Sequence, residues 1–198
     1  MNTRQLLIKE TEKQISERGI GAVSVRSVTS SIHHNVATIS YYFRTKDNLF
    51  LTILKENLVE LVNHISTENE NPGEKDGIKD IYTLIEYVRL NPVSASAISQ
   101  ITKHVVNNYT METRTELSAY ICSLFKSKLP EFESDIFPKS FRMLENLSLI
   151  SEILSFTLCD HNVATTELSE LETLELSQAT YQIYKIKRNN LIESPCAV

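Results

Sequence analysis

Ser24 to Phe50, SVRSVTSSIHHNVATISYYFRTKDNLF, decides how this chain is organised, and its reading rests on caps and on apolar residues three and four apart. Ser24 is a favourable N-cap, because a serine oxygen there accepts a hydrogen bond from a free amide of the first helical turn. Val25, Val28 and Ile32 then repeat at helical spacing and give the segment one apolar edge. Asn35 is placed to cap a second short helix, in which Ile39 and Phe43, four apart, face inward. Val36, Ala37, Ser40 and Tyr41 are left to face out. Thr45 caps a third helix beginning Lys46-Asp47, and both its N-terminal dipole and the Lys46 ammonium suit a phosphate. Two short helices joined by a tight turn predict a helix-turn-helix, in which the second helix enters the major groove and the first crosses the DNA backbone.

With Thr3 to Gly19 before it, this stretch resembles the DNA-binding domain of the TetR family of bacterial transcriptional regulators. The resemblance covers roughly a quarter of the chain. It is carried by a first helix ending in Glu17-Arg18-Gly19, by Ser24-Val25-Arg26, by Ala37-Thr38-Ile39-Ser40-Tyr41-Tyr42-Phe43, and by Thr45-Lys46-Asp47 with Leu49. It implies base reading through Val36, Ala37 and Ser40, with Arg26 able to reach a base or a phosphate. It also implies phosphate contacts from Ser24, Thr38, Tyr41, Tyr42 and Lys46. The chain departs from the family at the turn, where a Gly and a small apolar residue are usual and His33-His34 stand instead. A positive φ is therefore expected at or near His33, since His tolerates that region better than most residues. Arg44 occupies a place where the family often has Gly or Pro, and it adds a cation on the DNA side.

Composition sets the class. The chain has 198 residues, 41% of them hydrophobic, with four glycines and no tryptophan. Long segments of 3.6-residue period and no competing strand run predict an all-α protein of about nine helices. An N-terminal three-helix helix-turn-helix DNA-binding domain, residues 1–45, would precede a larger helical ligand-binding and dimerisation domain, residues 46–198. The net charge is −5, but residues 1–55 hold eight Lys/Arg against four Asp/Glu, whereas the remainder holds twelve against twenty-one. A basic head on an acidic body suits DNA at one end only, because the phosphate lattice repels the rest. Cys122, Cys159 and Cys196 are odd in number and lie in no C-x-x-C arrangement, so neither a disulfide framework nor a zinc site is expected. Adjacent His33 and His34 point apart and have no ligand at metal-binding spacing, so no metal and no cofactor are expected. The sequence has no Gly-rich phosphate loop, no G-x-S-x-G and no H-E-x-x-H, so no catalytic residue is assigned and the chain is not read as an enzyme. MNTRQLLIKETEK breaks its apolar run with charge, unlike a signal peptide, and no stretch reaches the roughly 18 apolar residues of a membrane span. A cytoplasmic location without membrane contact is the expectation.

Beyond the head, the fourth helix should run from Lys46 to about Ile65, and the polar stretch 67–77, TENENPGEKDG, should be a loop. Ile78 to Leu90 would form a fifth helix, and Asn91-Pro92, a cap followed by a proline at the first helical position, would open a sixth toward Val106. A seventh is expected from about Met111 to Lys128, then a loop over 130–138. Leu144, Leu147, Ile150, Leu154 and Leu158 mark one further helix, and Leu168, Leu171, Leu174, Ala179, Ile183 and Ile186 mark the last. In the family the equivalents of these two pack against the same pair of a second subunit, which implies a homodimer through the last two helices. Two heads related by a twofold axis would then engage half-sites about 34–36 Å apart in a pseudo-palindromic double-stranded DNA operator. The resemblance further implies a small-molecule effector held in the space among the fourth to eighth helices. Tyr87, His104, Asn107, Asn108, Tyr109, Arg114 and Phe125 are the polar and aromatic candidates for lining that space. A cationic drug would favour carboxylates and aromatics, and a carboxylate or acyl ligand would favour His104 or Arg114. The expected function is a dimeric, sequence-specific transcriptional regulator, a repressor released from its operator by the effector. The alternative is a partner-binding protein on the same fold in which the His33-His34 turn has weakened DNA reading.

Overall fold

A computed structural model describes residues 2–68, 77–128, 148 and 169–193. Among these residues the chain is all-helical, with eight α-helices and one short 3-10 turn. They are α1 (Thr3–Arg18), α2 (Val25–Ser31), α3 (Ala37–Phe43), α4 (Lys46–Glu68), α5 (Gly77–Leu90), α6 (Pro92–Asn108), α7 (Met111–Lys128) and α8 (Glu170–Glu193), with the 3-10 turn at Ile20–Ala22. The expected loops over 67–77 and 130–138, and the helix marked by Leu144 to Leu158, lie mostly or wholly outside the described residues.

Local chemistry explains the element limits. Asn2 starts α1 with a capping box in which its side chain accepts from the Gln5 amide at 2.9 Å and the Gln5 side chain answers at 3.3 Å. Gly19 ends the helix at φ 80° and ψ 152°, a conformation open essentially to glycine alone. At the other end of the head, Thr45 Oγ1 accepts from the Asn48 amide at 3.1 Å, so α4 begins where the sequence predicts and runs three residues past Ile65. Pro92 opens α6 as expected, but Asn91 acts differently from a side-chain cap. Its Nδ2 donates back to the Tyr87 carbonyl at 3.2 Å and closes the end of α5. Proline at the first helical position presets the helical φ, so α6 starts without a side-chain cap while the asparagine closes the helix before it.

One continuous core joins head and body. Leu7, Ile8 and Ile15 of α1, Val28 of α2, Ile39 and Phe43 of α3, and Leu49, Phe50, Ile53, Leu54 and Leu58 of α4 are all buried in it. So are Ile98, Ile101 and Val105 of α6, and α4 packs on both α6 and α7. The fourth helix is thus a spine shared by the three N-terminal helices and the rest. No helix among the described residues is long and apolar enough to cross a membrane, and no group of three His, Cys, Asp or Glu among them could hold a metal ion.

Candidate nucleic-acid interface

The turn between α2 and α3 is closed by backbone bonds of a specific kind. His34 N donates to Thr29 O at 2.8 Å and His33 N donates to Ser30 O at 3.1 Å. Together these six-to-one and five-to-two bonds make a Schellman ending, whose left-handed position is usually glycine. His33 fills that position at φ 56°, so the angle anticipated from the missing Gly is present. His34 has a different task. Its Nδ1 lies 2.9 Å from Ile32 O and its Nε2 lies 3.4 Å from Thr3 Oγ1, which ties the turn to the start of α1. With Nδ1 donating to the carbonyl, Nε2 is left to accept from the threonine hydroxyl.

Asn35 then sets α3. Its Oδ1 accepts from Ala37 N at 2.9 Å, and Thr38 N donates to Asn35 O at 2.9 Å. Ile39 and Phe43 are buried, so the same turn of helix must expose the other side. Val36, Ala37, Ser40 and Tyr41 are exposed there, Tyr41 at 81% of its surface. Thr38 is half-buried. Tyr42 is 40% exposed and meets Tyr41 edge-on at 4.9 Å between ring centroids, so two phenols stand side by side at the rim of the helix. On α2, Arg26 is exposed, and Ser24 is exposed while its hydroxyl accepts from Ser27 N at 3.0 Å in a capping box.

Lys46 occupies a less open place than its position at a helix start suggests. It is half-buried, its Nζ donates to Val23 O at 3.3 Å, and the ammonium lies 5.4 Å from the Phe50 ring centre. The ammonium therefore pins the segment before α2 onto α4, and it retains further N–H groups beyond that bond. Spacing in the sequence could not reveal this, because Val23 is brought to Lys46 only by the packing of the head. Arg44, a cation standing where the resembled family often has Gly or Pro, takes a backbone conformation that glycine adopts more easily. It is exposed at φ 67° and ψ −49°, and Thr45 N donates across it to Phe43 O at 2.8 Å. That is a γ-turn of the positive-φ kind, which is rare and strained for any residue with a side chain.

A second feature lies behind this surface. A cleft of about 450 Å³ separates the first turn of α4, with Thr45, Asp47, Asn48 and Leu51, from the corner of α6 and α7, with His104, Asn108, Tyr109 and Thr110. The His104 ring stands edge-on to Phe50 at 5.9 Å and to Tyr109 at 5.7 Å, and Asn108 Nδ2 donates to His104 O at 2.9 Å. Burial first, and then the neighbouring Asp47 carboxylate, push the Tyr109 hydroxyl well above its ordinary pKa, so it stays a proton donor. Of the residues expected to line an effector site, His104, Asn108 and Tyr109 come together here. Tyr87 and Phe125 are buried in the core, Arg114 is half-buried on α7, and Asn107 is on the surface. Tyr87 stands 5.5 Å from the His64 ring, away from this cleft's lining, and burial raises its hydroxyl pKa as well, with Glu60 and Glu12 adding to the effect.

The family model for bacterial regulatory proteins of the tetR family matches residues 7–53, which span α1 through the first turns of α4. Among solved structures, the multidrug binding protein EbrR complexed with imidazole is 13% identical over 91% of this chain and 95% of its own, with a TM-score of 0.56. A structure from Shewanella sp. PV-4 assigned to the tetR family of transcription regulators is 12% identical over 93% of this chain and 96% of its own, with a TM-score of 0.58. At such identities the likeness is one of fold. No curated protein matches the chain.

Proposed function

We propose that the chain, whose residues 7–53 match the family model for bacterial regulatory proteins of the tetR family, is a dimeric, sequence-specific repressor that leaves a pseudo-palindromic operator when a small molecule binds. Residues 1–45 act as the DNA-binding head and residues 46–198 as the ligand-binding and dimerisation body, in the cytoplasm. The observation that carries the reading is the face of α3. A helix held by Ile39 and Phe43 turns Val36, Ala37, Ser40 and Tyr41 outward, on the end of the chain that holds the excess of cations. Val36, Ala37 and Ser40 meet base edges, Arg26 a base or a phosphate, and Ser24, Thr38, Tyr41, Tyr42 and Lys46 the phosphates.

Support for the dimer comes from α8. Its Thr173, Ser177, Thr180 and Tyr184 are buried, and the helix packs on α5, while Leu171, Leu174 and Ile183 remain exposed. Leu171 and Leu174, three apart and so neighbours on the surface, leave an uncovered apolar edge on a helix already packed elsewhere, and that edge fits a second copy of the chain. For the effector, the cleft between α4 and the α6–α7 corner has the right place. A ligand wedged there pushes on the first turn of the helix that follows α3. It releases DNA if it binds one head spacing better than the other, and a coupling of about 1–3 kcal/mol weakens the operator roughly 5- to 150-fold. EbrR, which shares the fold, is a multidrug binding protein, and that is consistent with a ligand site in such a body.

The test is selection of bound fragments from genomic DNA by the purified protein at about 0.15 M salt. Recovery of a pseudo-palindrome beside a promoter, bound less tightly as salt rises, is the expected result. Folded protein that enriches no sequence would favour a partner-binding protein on this fold.

A further inference from the structure

The outward face of α3 has little hydrogen-bonding reach. Val36 is 43% exposed, and Ala37, Ser40 and Tyr41 share the surface with it. None of the four ends in a guanidinium, an ammonium or a carboxamide. The bidentate contacts that name guanine and adenine, from Arg or Lys to O6 and N7 and from Asn or Gln to N6 and N7, are thus missing from this face. Asn35, the nearest carboxamide, commits its oxygen to the Ala37 amide at 2.9 Å. Arg26 stands at the first turn of α2 and Arg44 follows the last turn of α3, so both flank the face. What the face offers instead is methyl groups from Val36 and Ala37, with single hydroxyls from Ser40 and Tyr41. The C5-methyl of thymine is the apolar group displayed in the major groove, and small apolar side chains are its partners.

We infer that α3 recognises its half-site through thymine methyls, with Val36 and Ala37 packing on the C5-methyls of neighbouring T·A pairs and Ser40 giving one hydrogen bond to an adjacent base edge. The inference rests on the DNA-binding function proposed above. Its consequence is an operator rich in A·T where α3 lies, with any guanine confined to the edges that Arg26 or Arg44 reach. A methyl buried between side chain and base contributes about fourfold in affinity. Sequence choice is therefore built from several small steps, and most of the affinity comes from phosphates and from the second head.

The experiment takes the full chain, recovers its preferred duplex from a random library, and remakes that duplex with deoxyuridine replacing each thymine in turn. The exchange deletes one methyl and leaves charge and hydrogen-bonding edges as they were. The expected result is a loss of about fourfold at a small set of adjacent thymines in each half-site and no loss at the others. Val36→Ala, at an exposed position, should remove the sensitivity at one of them. Uniform tolerance of uracil, or a selected site with G·C pairs at every position where Val36→Ala changes the preference, would overturn the inference while leaving DNA binding intact. Absence of any enriched duplex overturns the DNA-binding function itself, so the two failures are told apart.

Discussion

Two side chains of the head sit where glycine is easier, and they do so for different ends. His33 completes the Schellman ending of α2 at φ 56°, and Arg44 occupies the γ-turn after α3 at φ 67°. Each angle costs on the order of 1–2 kcal/mol for a residue with a Cβ. His33→Gly is expected to stabilise the head or leave it unchanged, because relief of the angle is partly offset by the freer unfolded glycine. Clear destabilisation in a denaturant melt would show a contact made by the imidazole. Arg44→Gly should gain similar stability but bind DNA more weakly, with a plot of log affinity against log salt shallower by about one phosphate. An unchanged slope would take Arg44 off the backbone. Glu12 offers a pH test. Burial raises its carboxyl pKa first, Glu60 and Glu56 add to that, and a hydrogen bond to Asn57 and the charge of Lys9 oppose it. The folded chain holds this proton more tightly than the unfolded one, so ionised Glu12 destabilises the fold above its raised pKa, and the cost vanishes below the ordinary glutamate value of about 4.3. Glu12→Gln should therefore raise the melting temperature at pH 7 and match the parent in acid. A gap of constant size at all pH would mean that the charge is not its cause. The angle at His33 was readable in the sequence because a turn that lacks its usual Gly still needs the same bonds. The burial of Lys46 against Val23 was not, since no local spacing encodes it.

Helix limits were largely readable, because caps, Pro92 and three-and-four spacing act within a few residues. Met111 to Lys128 and the start of α4 at Lys46 match the expectation, and the exceptions lie where a side chain serves a different helix, as Asn91 does. How α1 is held to the body is another matter. Gln100 of α6 donates from Nε2 to Ile15 O at 2.9 Å and accepts at Oε1 from Ile20 N at 2.8 Å, so one carboxamide closes both the end of α1 and the start of the 3-10 turn. The partners are 85 and 80 residues away in sequence, and a lone Gln on a helix gives no sign of them. Gln100→Ala leaves a partly buried amide without its acceptor and should lower stability by about 1–3 kcal/mol. Gln100→Glu separates the two halves of the clamp, since it keeps an acceptor for Ile20 N and turns the other oxygen toward a carbonyl. It should destabilise at neutral pH and recover on acidification, when a protonated carboxyl can donate to Ile15 O. If both variants melt with the parent, the clamp does not hold α1.

The last helix shows why the sequence indicated a dimer without showing how the body is assembled. Its leucine row is the obvious pattern, yet the side turned into the chain is made of Thr173, Ser177, Thr180 and Tyr184, with Leu176 half-buried beside them. Hydroxyl and small residues at i, i+4, i+7 and i+11 pack closely on α5 without appearing apolar, so a count of hydrophobic positions misses them. Leu171 and Leu174 are then left at the surface for an external partner. Leu174→Glu places a charge on the apolar edge that Leu174 shares with Leu171, where two copies related by a twofold axis would bring like charges together in an apolar setting. Sedimentation should report half the parent's mass with the helical signal unchanged, because Leu174 is already 40% exposed in the single chain. Loss of the second head removes the gain from joint binding, so affinity for a full operator should fall by about 10²- to 10⁴-fold, while affinity for an isolated half-site stays where it was. A variant that remains dimeric would move the interface away from α8. A variant that is monomeric but still holds the full operator at parental affinity would mean that one head suffices, and the operator would then have no need of its second half.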